Sequence, residues 1–472
     1  MEPALTPAEY TALDATALAG LIAAGELSAG EAEEAARTAV VAVDGDLNAL
    51  ARPLFDPALG SDPGGVLAGV PFLLKDSAPF ARGVPFALGS RSVRGAFASV
   101  DHPMMERFRA AGLVAIGQTT VPEYSLSFAT ESRLSGTTRN PWALDRGVGG
   151  SSGGAAALVA AGAVPVAHGS DGAGSLRIPA SACGLVGLKP SRGRTPGAAR
   201  PGGLGLPLGV EFALTRTVRD AAALLDAVGD AWPADARAHL AETRRDPGAL
   251  RVAVTTAAFS GGAVDPQVVA ATNAVAGTLE WIGHHVAERS PAVETERVLD
   301  ALVLEAVAVG RAVLAAPRRP VADDLEAVSR RLLSETAGFS AARARASAAS
   351  QLAVTRSIAA FFEGVDILVT PTLGALPARH GELDYDDPYY DSPESSVRDW
   401  MRRITDYGPF TAPFNVSGHP AISLPLGESV EGLPIGVQLV GAFGAEGLLL
   451  SVAAQLEQAM PWIQRQPPVW AG

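Results

Sequence analysis

The chain is 472 residues long, 48% hydrophobic and 18% charged. That composition can bury a large core, and it excludes a disordered protein, a zinc-finger-sized module and a disulfide scaffold. The net charge of -13 makes nucleic acid and anionic membrane surfaces poor partners by global electrostatics.

From the N-terminus the chain first reads as helices. Ser28 and Glu31 form a capping box ahead of a helix that runs to about residue 43. Residues 69–74 are an apolar run ending in Lys75-Asp76, a buried strand that delivers two charged side chains at its end. A helix over 103–111 and a strand over 113–116 follow, and this alternation predicts an α/β core. Small residues over 153–162 predict a closely packed helix, 164–167 a strand and 170–177 a glycine-rich turn; 183–188 is another apolar piece. Then come a helix over 219–228, a strand over 251–255 and a helix over 266–284. Residues 299–362 are alanine-rich and helical, a covering region on the α/β body. A strand over 366–370 is closed by Pro371, and the acidic, aromatic stretch 382–395 is expected as a surface loop. Strands over 421–425 and 435–440 and a helix over 445–458 end the pattern. No linker divides the chain, so a single domain over 1–472 is expected.

Cys183 is the one cysteine, which excludes an internal disulfide and a Cys-rich metal site. The first residues lack a basic stretch followed by an apolar one. The most membrane-like run, 155–167, is too short to span and contains Pro165. A cytoplasmic location is expected.

Two glycine clusters carry serine: Gly149-Gly150-Ser151-Ser152-Gly153-Gly154 and Gly172-Ala173-Gly174-Ser175. Glycines beside a hydroxyl leave backbone N–H groups open, and successive N–H groups can hold an oxyanion. Serine is a weak nucleophile at its free pKa and needs a base. Of the seven histidines, His168 and His419 lie in stretches that read as core. The alternative base is Lys75, which acts neutral if it is desolvated. Gly149-x-Ser151-x-Gly153 also fits a nucleophile elbow, but that turn needs a strand directly before it, and 141–146 is not one. No Gly-Lys-Ser/Thr closes a phosphate loop, and no histidine pair has metal-ligand spacing. Cys183 reads as a buried small hydrophobe.

Taken together, these motifs resemble the amidase signature family. The resemblance rests on the strand ending in Lys75-Asp76, on GGSSGG, and on Gly174-Ser175-Leu176-Arg177-Ile178-Pro179. It extends to Phe410-Thr411-Ala412-Pro413-Phe414-Asn415 and to Gly432-Leu433-Pro434-Ile435-Gly436-Val437-Gln438. It covers nearly the whole chain and implies an α/β amidase signature fold: a central mixed twisted β-sheet surrounded by helices, with a helical covering region.

The resemblance also implies roles. Ser175 is the acylated nucleophile. Ser151 is a bridging serine preceded by a cis peptide bond, and Lys75 is the base behind it. The N–H groups of Gly172, Ala173, Gly174 and Ser175 form the oxyanion hole, and Ser152, Asp171 and Arg177 support the site. Tyr124, Ser125, Leu126, Phe128, Ile178, Phe410 and Asn415 are expected to bind substrate, with 299–362 and 382–395 over the mouth. Ala173 departs from the usual pair of glycines and resembles the 6-aminohexanoate-cyclic-dimer hydrolase branch. The implied activity is cofactor-free and metal-free hydrolysis of a small linear or cyclic amide by water. A carbamate or ester hydrolase with the same three residues is the alternative. The glutamine-dependent amidotransferase component that forms amide-linked tRNA is resembled less. The resemblance is compatible with a homodimer.

Overall fold

Short apolar runs alternating with helices build one ten-stranded sheet in the computed structural model, which describes residues 5–93, 95–197, 205–232, 235 and 238–472. Its strands are β1 (Pro71–Lys75), β2 (Val114–Thr119), β3 (Val166–Asp171), β4 (Val186–Lys189) and β5 (Val210–Thr215). They continue with β6 (Arg251–Val254), β7 (His285–Glu288), β8 (Ile367–Pro371), β9 (Ala421–Glu428) and β10 (Pro434–Gly441). The order across the sheet is β7-β6-β8-β10-β9-β4-β5-β3-β1-β2. Parallel blocks stand at the two ends: β3, β1 and β2 at one, and β7, β6 and β8 at the other. Antiparallel pairs join them through the centre. Strands of a parallel block are covered on both faces, which is why β1 and β8 are buried at every residue.

Two apolar cores flank this sheet. One gathers Phe72, Leu73, Phe212 and Leu439 with the helices Ala29–Leu47, Gly153–Ala160 and Val218–Val228. The capping box at the first of these helices is present: the Ser28 hydroxyl accepts from the Glu31 N–H, and the Glu31 carboxylate accepts from the Ser28 N–H. The second core gathers Phe128, Ile178, Leu299, Trp400 and Phe414. It is built by the helices Thr295–Leu314, Ala327–Ala337, Ala341–Phe361 and Val397–Tyr407. Among the described residues no helix is long and apolar enough to cross a membrane.

The structure departs from the sequence reading in several places. β5, β7 and the helix Val397–Tyr407 were not anticipated. The stretch 141–146, read as no strand, holds one over Ala143–Gly147, paired in a two-stranded ribbon with Arg139–Asn140. The helix expected to reach residue 284 stops at Trp281, because Gly283 takes φ +104° and turns the chain into β7. The glycine-rich turn is shorter than expected, since β3 continues to Asp171 and a helix begins at Arg177. The stretch 382–395 is not simply a surface loop. Tyr385 and Tyr390 are buried edge-on to Trp400, at 5.2 and 5.6 Å between ring centroids, because rings of that size gain more from the core than their acidic neighbours lose.

Candidate active site

The buried run of β1 ends on Lys75, whose side chain is fully buried. Among the described residues its amine has no carboxylate hydrogen-bonded to it. Instead Nζ donates to three hydroxyls: Ser151 Oγ at 2.8 Å, Ser170 Oγ at 2.9 Å and Ser152 Oγ at 3.1 Å. Ser151 and Ser152 stand just before the helix Gly153–Ala160. The glycines around them permit close approach. A β-carbon on Gly150 would lie 2.8 Å from the Ser127 carbonyl, and one on Gly154 would lie 2.4 Å from Thr120 Oγ1. The Gly150–Ser151 peptide bond is cis. Ser170 comes from β3, which pairs with β1 in parallel.

The chain leaves β3 at Asp171 and turns through 172–176 into the helix Arg177–Cys183. Ser175 lies in this turn and is 6% exposed. Among the described residues its hydroxyl has no hydrogen-bond partner, and the N–H groups of Gly172, Ala173, Gly174 and Ser175 donate to none. A free hydroxyl beside a row of free N–H groups is an arrangement that can receive a carbonyl and the charge that develops on it. Gly174 holds φ +142°, and a β-carbon there would sit 2.5 Å from Thr411 Oγ1. Thr411 Oγ1 in turn donates to the Ala173 carbonyl at 2.6 Å.

The turn rests on a buried ion pair. Arg177 Nε and Nη2 each reach an oxygen of Asp171 at 2.9 Å. The remaining Arg177 hydrogens go to Gln438 Oε1, the Thr411 carbonyl and Asn415 Oδ1. Asp171 also accepts from the Leu176 N–H and from Asn415 Nδ2. Such a pair is tolerable only when its remaining polar atoms are satisfied, as they are here. Burial pushes Asp171 up, but Arg177, Lys189 and Asn415 outweigh it and hold the carboxyl at about 2.

Burial pushes Lys75 the other way, down to about 8, against the pull of Glu211 and Asp171. The amine is therefore available in its neutral form near neutral pH. Lys75 and Lys189 are the only lysines in the sequence, and both are fully buried. Neither histidine considered as a base touches the serines. His168 Nε2 pairs with Glu211 Oε2 at 2.9 Å, and His419 stacks on Phe362. Cys183 is buried in the first core, and burial pushes its thiol far up.

The residues expected to bind substrate divide into two sets. Phe128 and Ile178 come together beside Gly408, where a β-carbon would lie 3.2 and 2.9 Å from them. Phe410 is buried edge-on to Phe259 at 5.7 Å. Tyr124 and Ser125 both hold positive φ, at 52° and 59°. The Tyr124 hydroxyl bonds Ser92 Oγ, while the buried Ser125 hydroxyl has no partner among the described residues. Leu126 offers its carbonyl to Trp400 Nε1. Asn415 does not join this group, because both ends of its amide are engaged with Asp171 and Arg177. Sequence reasoning missed Ser170, Thr411 and Gln438. Ser170 had a signal: once 164–167 is a strand, residues two apart share a face, and 168 and 170 fall together.

This fold and site belong to an enzyme that hydrolyses amides. The chain is a member of the amidase family, whose model, described as Amidase, matches residues 30–450. It is 40% identical over 488 residues to the 6-aminohexanoate-cyclic-dimer hydrolase of Pseudomonas sp. (strain NK87), with 96% of each chain covered. A solved structure of 6-aminohexanoate cyclic dimer hydrolase complexed with substrate matches with a TM-score of 0.89 at 37% identity, over 97% of this chain and 99% of that one. A bacterial aryl acylamidase of the amidase signature enzymes matches with a TM-score of 0.82 at 26% identity, over 96% and 97% of the two chains.

Proposed function

We propose that the protein is a serine hydrolase of small amides, linear or cyclic, with 6-aminohexanoate oligomers as the leading substrate class. Neutral Lys75 draws the proton from Ser151, and Ser151 draws the proton from Ser175 as its Oγ attacks the carbonyl carbon. The oxyanion sits on the N–H groups of residues 172–175. Collapse expels the amine, which takes its proton back through Ser151 from protonated Lys75 and leaves an acyl group on Ser175. Water, losing its proton by the same relay, then releases the carboxylic acid.

The observation that carries this reading is the 2.8 Å hydrogen bond from the buried Lys75 amine to Ser151. Ala173, Leu126, Phe259 and Tyr407 are only partly buried against the second core, and these apolar side chains favour an aliphatic acyl chain over an anionic one. The likeness to 6-aminohexanoate-cyclic-dimer hydrolase supports a medium-length amide within that class.

The test is a mass-spectrometric turnover screen of wild type and Ser175→Ala. Substrates are the 6-aminohexanoate cyclic dimer, its linear dimer, simple aliphatic and aryl amides, and a small carbamate. Amides should be cleaved by wild type, with the serine variant slower by at least about 10³-fold. Faster cleavage of the carbamate would move the protein to urethane hydrolysis, and equal rates in the two proteins would remove Ser175 from the chemistry.

A further inference from the structure

β5 places Glu211 directly across from Ser170 of β3, and Ser170 is one of the three hydroxyls that receive the Lys75 amine. Paired residues of adjacent strands present their side chains to the same face. Two residues back along β3, His168 lies on that face as well and holds the Glu211 carboxylate at 2.9 Å. Neither role proposed above uses this carboxylate. It is buried, and no arginine or lysine is bonded to it among the described residues. A second imidazole, His102, stands at the start of the helix Pro103–Ala110, with its Nε2 buried and without a partner among the described residues.

We infer that Glu211 is a positioning residue for the Lys75 base: its carboxylate, fixed by His168 and separated from the amine by Ser170, favours the charged amine and so sets the pH at which the site becomes active. The inference rests on the serine-hydrolase reading and deepens it.

The other charges around Lys75 leave Glu211 as the adjustable one. Asp171 lies nearby on β3, but its carboxylate is bound to Arg177 on the following helix, and Lys189 of β4 pulls on Asp171 too. Asp76, next along the chain, is turned to Arg52 and the Ala87 N–H. β2 offers no ionisable side chain. His168 is held well below its ordinary value by burial and by Lys75, so it supplies no charge. Burial raises Glu211 to about 7, against the pull of Lys75 and His102, so carboxyl and amine compete for a proton in the same range.

The experiment measures the rate at which a fluorophosphonate labels Ser175 as a function of pH, in wild type, Glu211→Gln, Glu211→Asp and His168→Gln. Labelling needs the nucleophile and its base but no particular substrate. Wild-type labelling should rise with pH as Lys75 loses its proton. In Glu211→Gln the rise should move to lower pH by about one unit, because the charge that favoured the ammonium is gone. Glu211→Asp keeps a retracted carboxylate and should move the rise the same way by less; it decides the matter if the Gln variant does not fold. His168→Gln keeps the carboxylate and should leave the rise within a few tenths of a unit of wild type. A rise that stays in place in the folded Glu211 variants, moves to higher pH, or moves equally in His168→Gln overturns the inference while leaving the serine reading intact. Wild type that takes no label at Ser175 overturns both.

Discussion

A buried lysine with three hydroxyls around it, and with no carboxylate hydrogen-bonded to it among the described residues, suits the base proposed above. Burial lowers its affinity for a proton to about 8, so the neutral form gains population as pH rises through that value. kcat/KM for an amide substrate should therefore climb through pH 8 and lose that acid limb in Lys75→Met. The Met side chain is nearly isosteric but accepts no proton, and the loss should be about 10²- to 10⁴-fold in kcat. A pH-rate profile of both proteins checks this, and a Met variant that keeps the limb would assign it to another group. Stability follows the same shift with its own sign. The folded-state value lies below the ordinary 10.5, so the unfolded chain binds more protons between about 8 and 10.5, and Lys75's contribution to stability rises with pH through that window.

At the scale of elements, the helix Gly153–Ala160 is defined by what its first turn lacks. Its two leading glycines let it descend onto Thr130 and Thr120, and that descent sets the height of Ser151 relative to Lys75. Gly154→Ala gains helix propensity, but its methyl would meet Thr120 Oγ1 at 2.4 Å and the Thr120 nitrogen at 2.6 Å. Backbone cannot move aside as a side chain can, so the variant should be destabilised by about 1–3 kcal/mol, measurable by urea denaturation. Unchanged stability would mean that the helix is free to shift.

The elements also show what could be read from the chain. β1 was legible because an apolar run stops abruptly at two charges, and the serines were legible because glycine clusters announce themselves. β5 was not: Val210–Thr215 places a glutamate among apolar residues, and only the strand beside it explains how that glutamate can be buried. Ser170 and Thr411 were missed for a related reason. They act across strand pairs and through a contact between distant segments, and register is a property of pairs that no single segment carries. Asn415 was recognisable as a site residue but not as scaffold, because its two amide partners lie more than 200 residues away in the chain.

Over the whole molecule, the central sheet and its turns bring together residues from β3, the helix Arg177–Cys183, the helix Ala412–Ser417 and β10 around one buried ion pair. Asp171→Asn would strand the Arg177 guanidinium in the interior. The expected loss is about 3–5 kcal/mol of stability, with the turn that carries Ser175 disordered first. The pH dependence fixes the sign. Asp171 is held at about 2 against an ordinary 3.8, so its stabilisation is complete above 3.8 and disappears as pH falls through 2. Denaturation curves of wild type and variant should converge over that acid range and stay apart above it; parallel curves throughout would show that the pair contributes no charge-dependent stability.

The burial of both lysines reaches beyond catalysis. Every surface cation among the described residues is an arginine or a histidine, so succinimidyl esters and aldehydes find no side-chain amine on the native molecule. A brief pulse of such a reagent marks lysine side chains only in chains that have opened, at two positions lying on different strands of the sheet, β1 and β4. The protein thus carries its own pair of footprinting reporters. Label at one position without the other would reveal whether the β1 end of the sheet or its centre comes apart first.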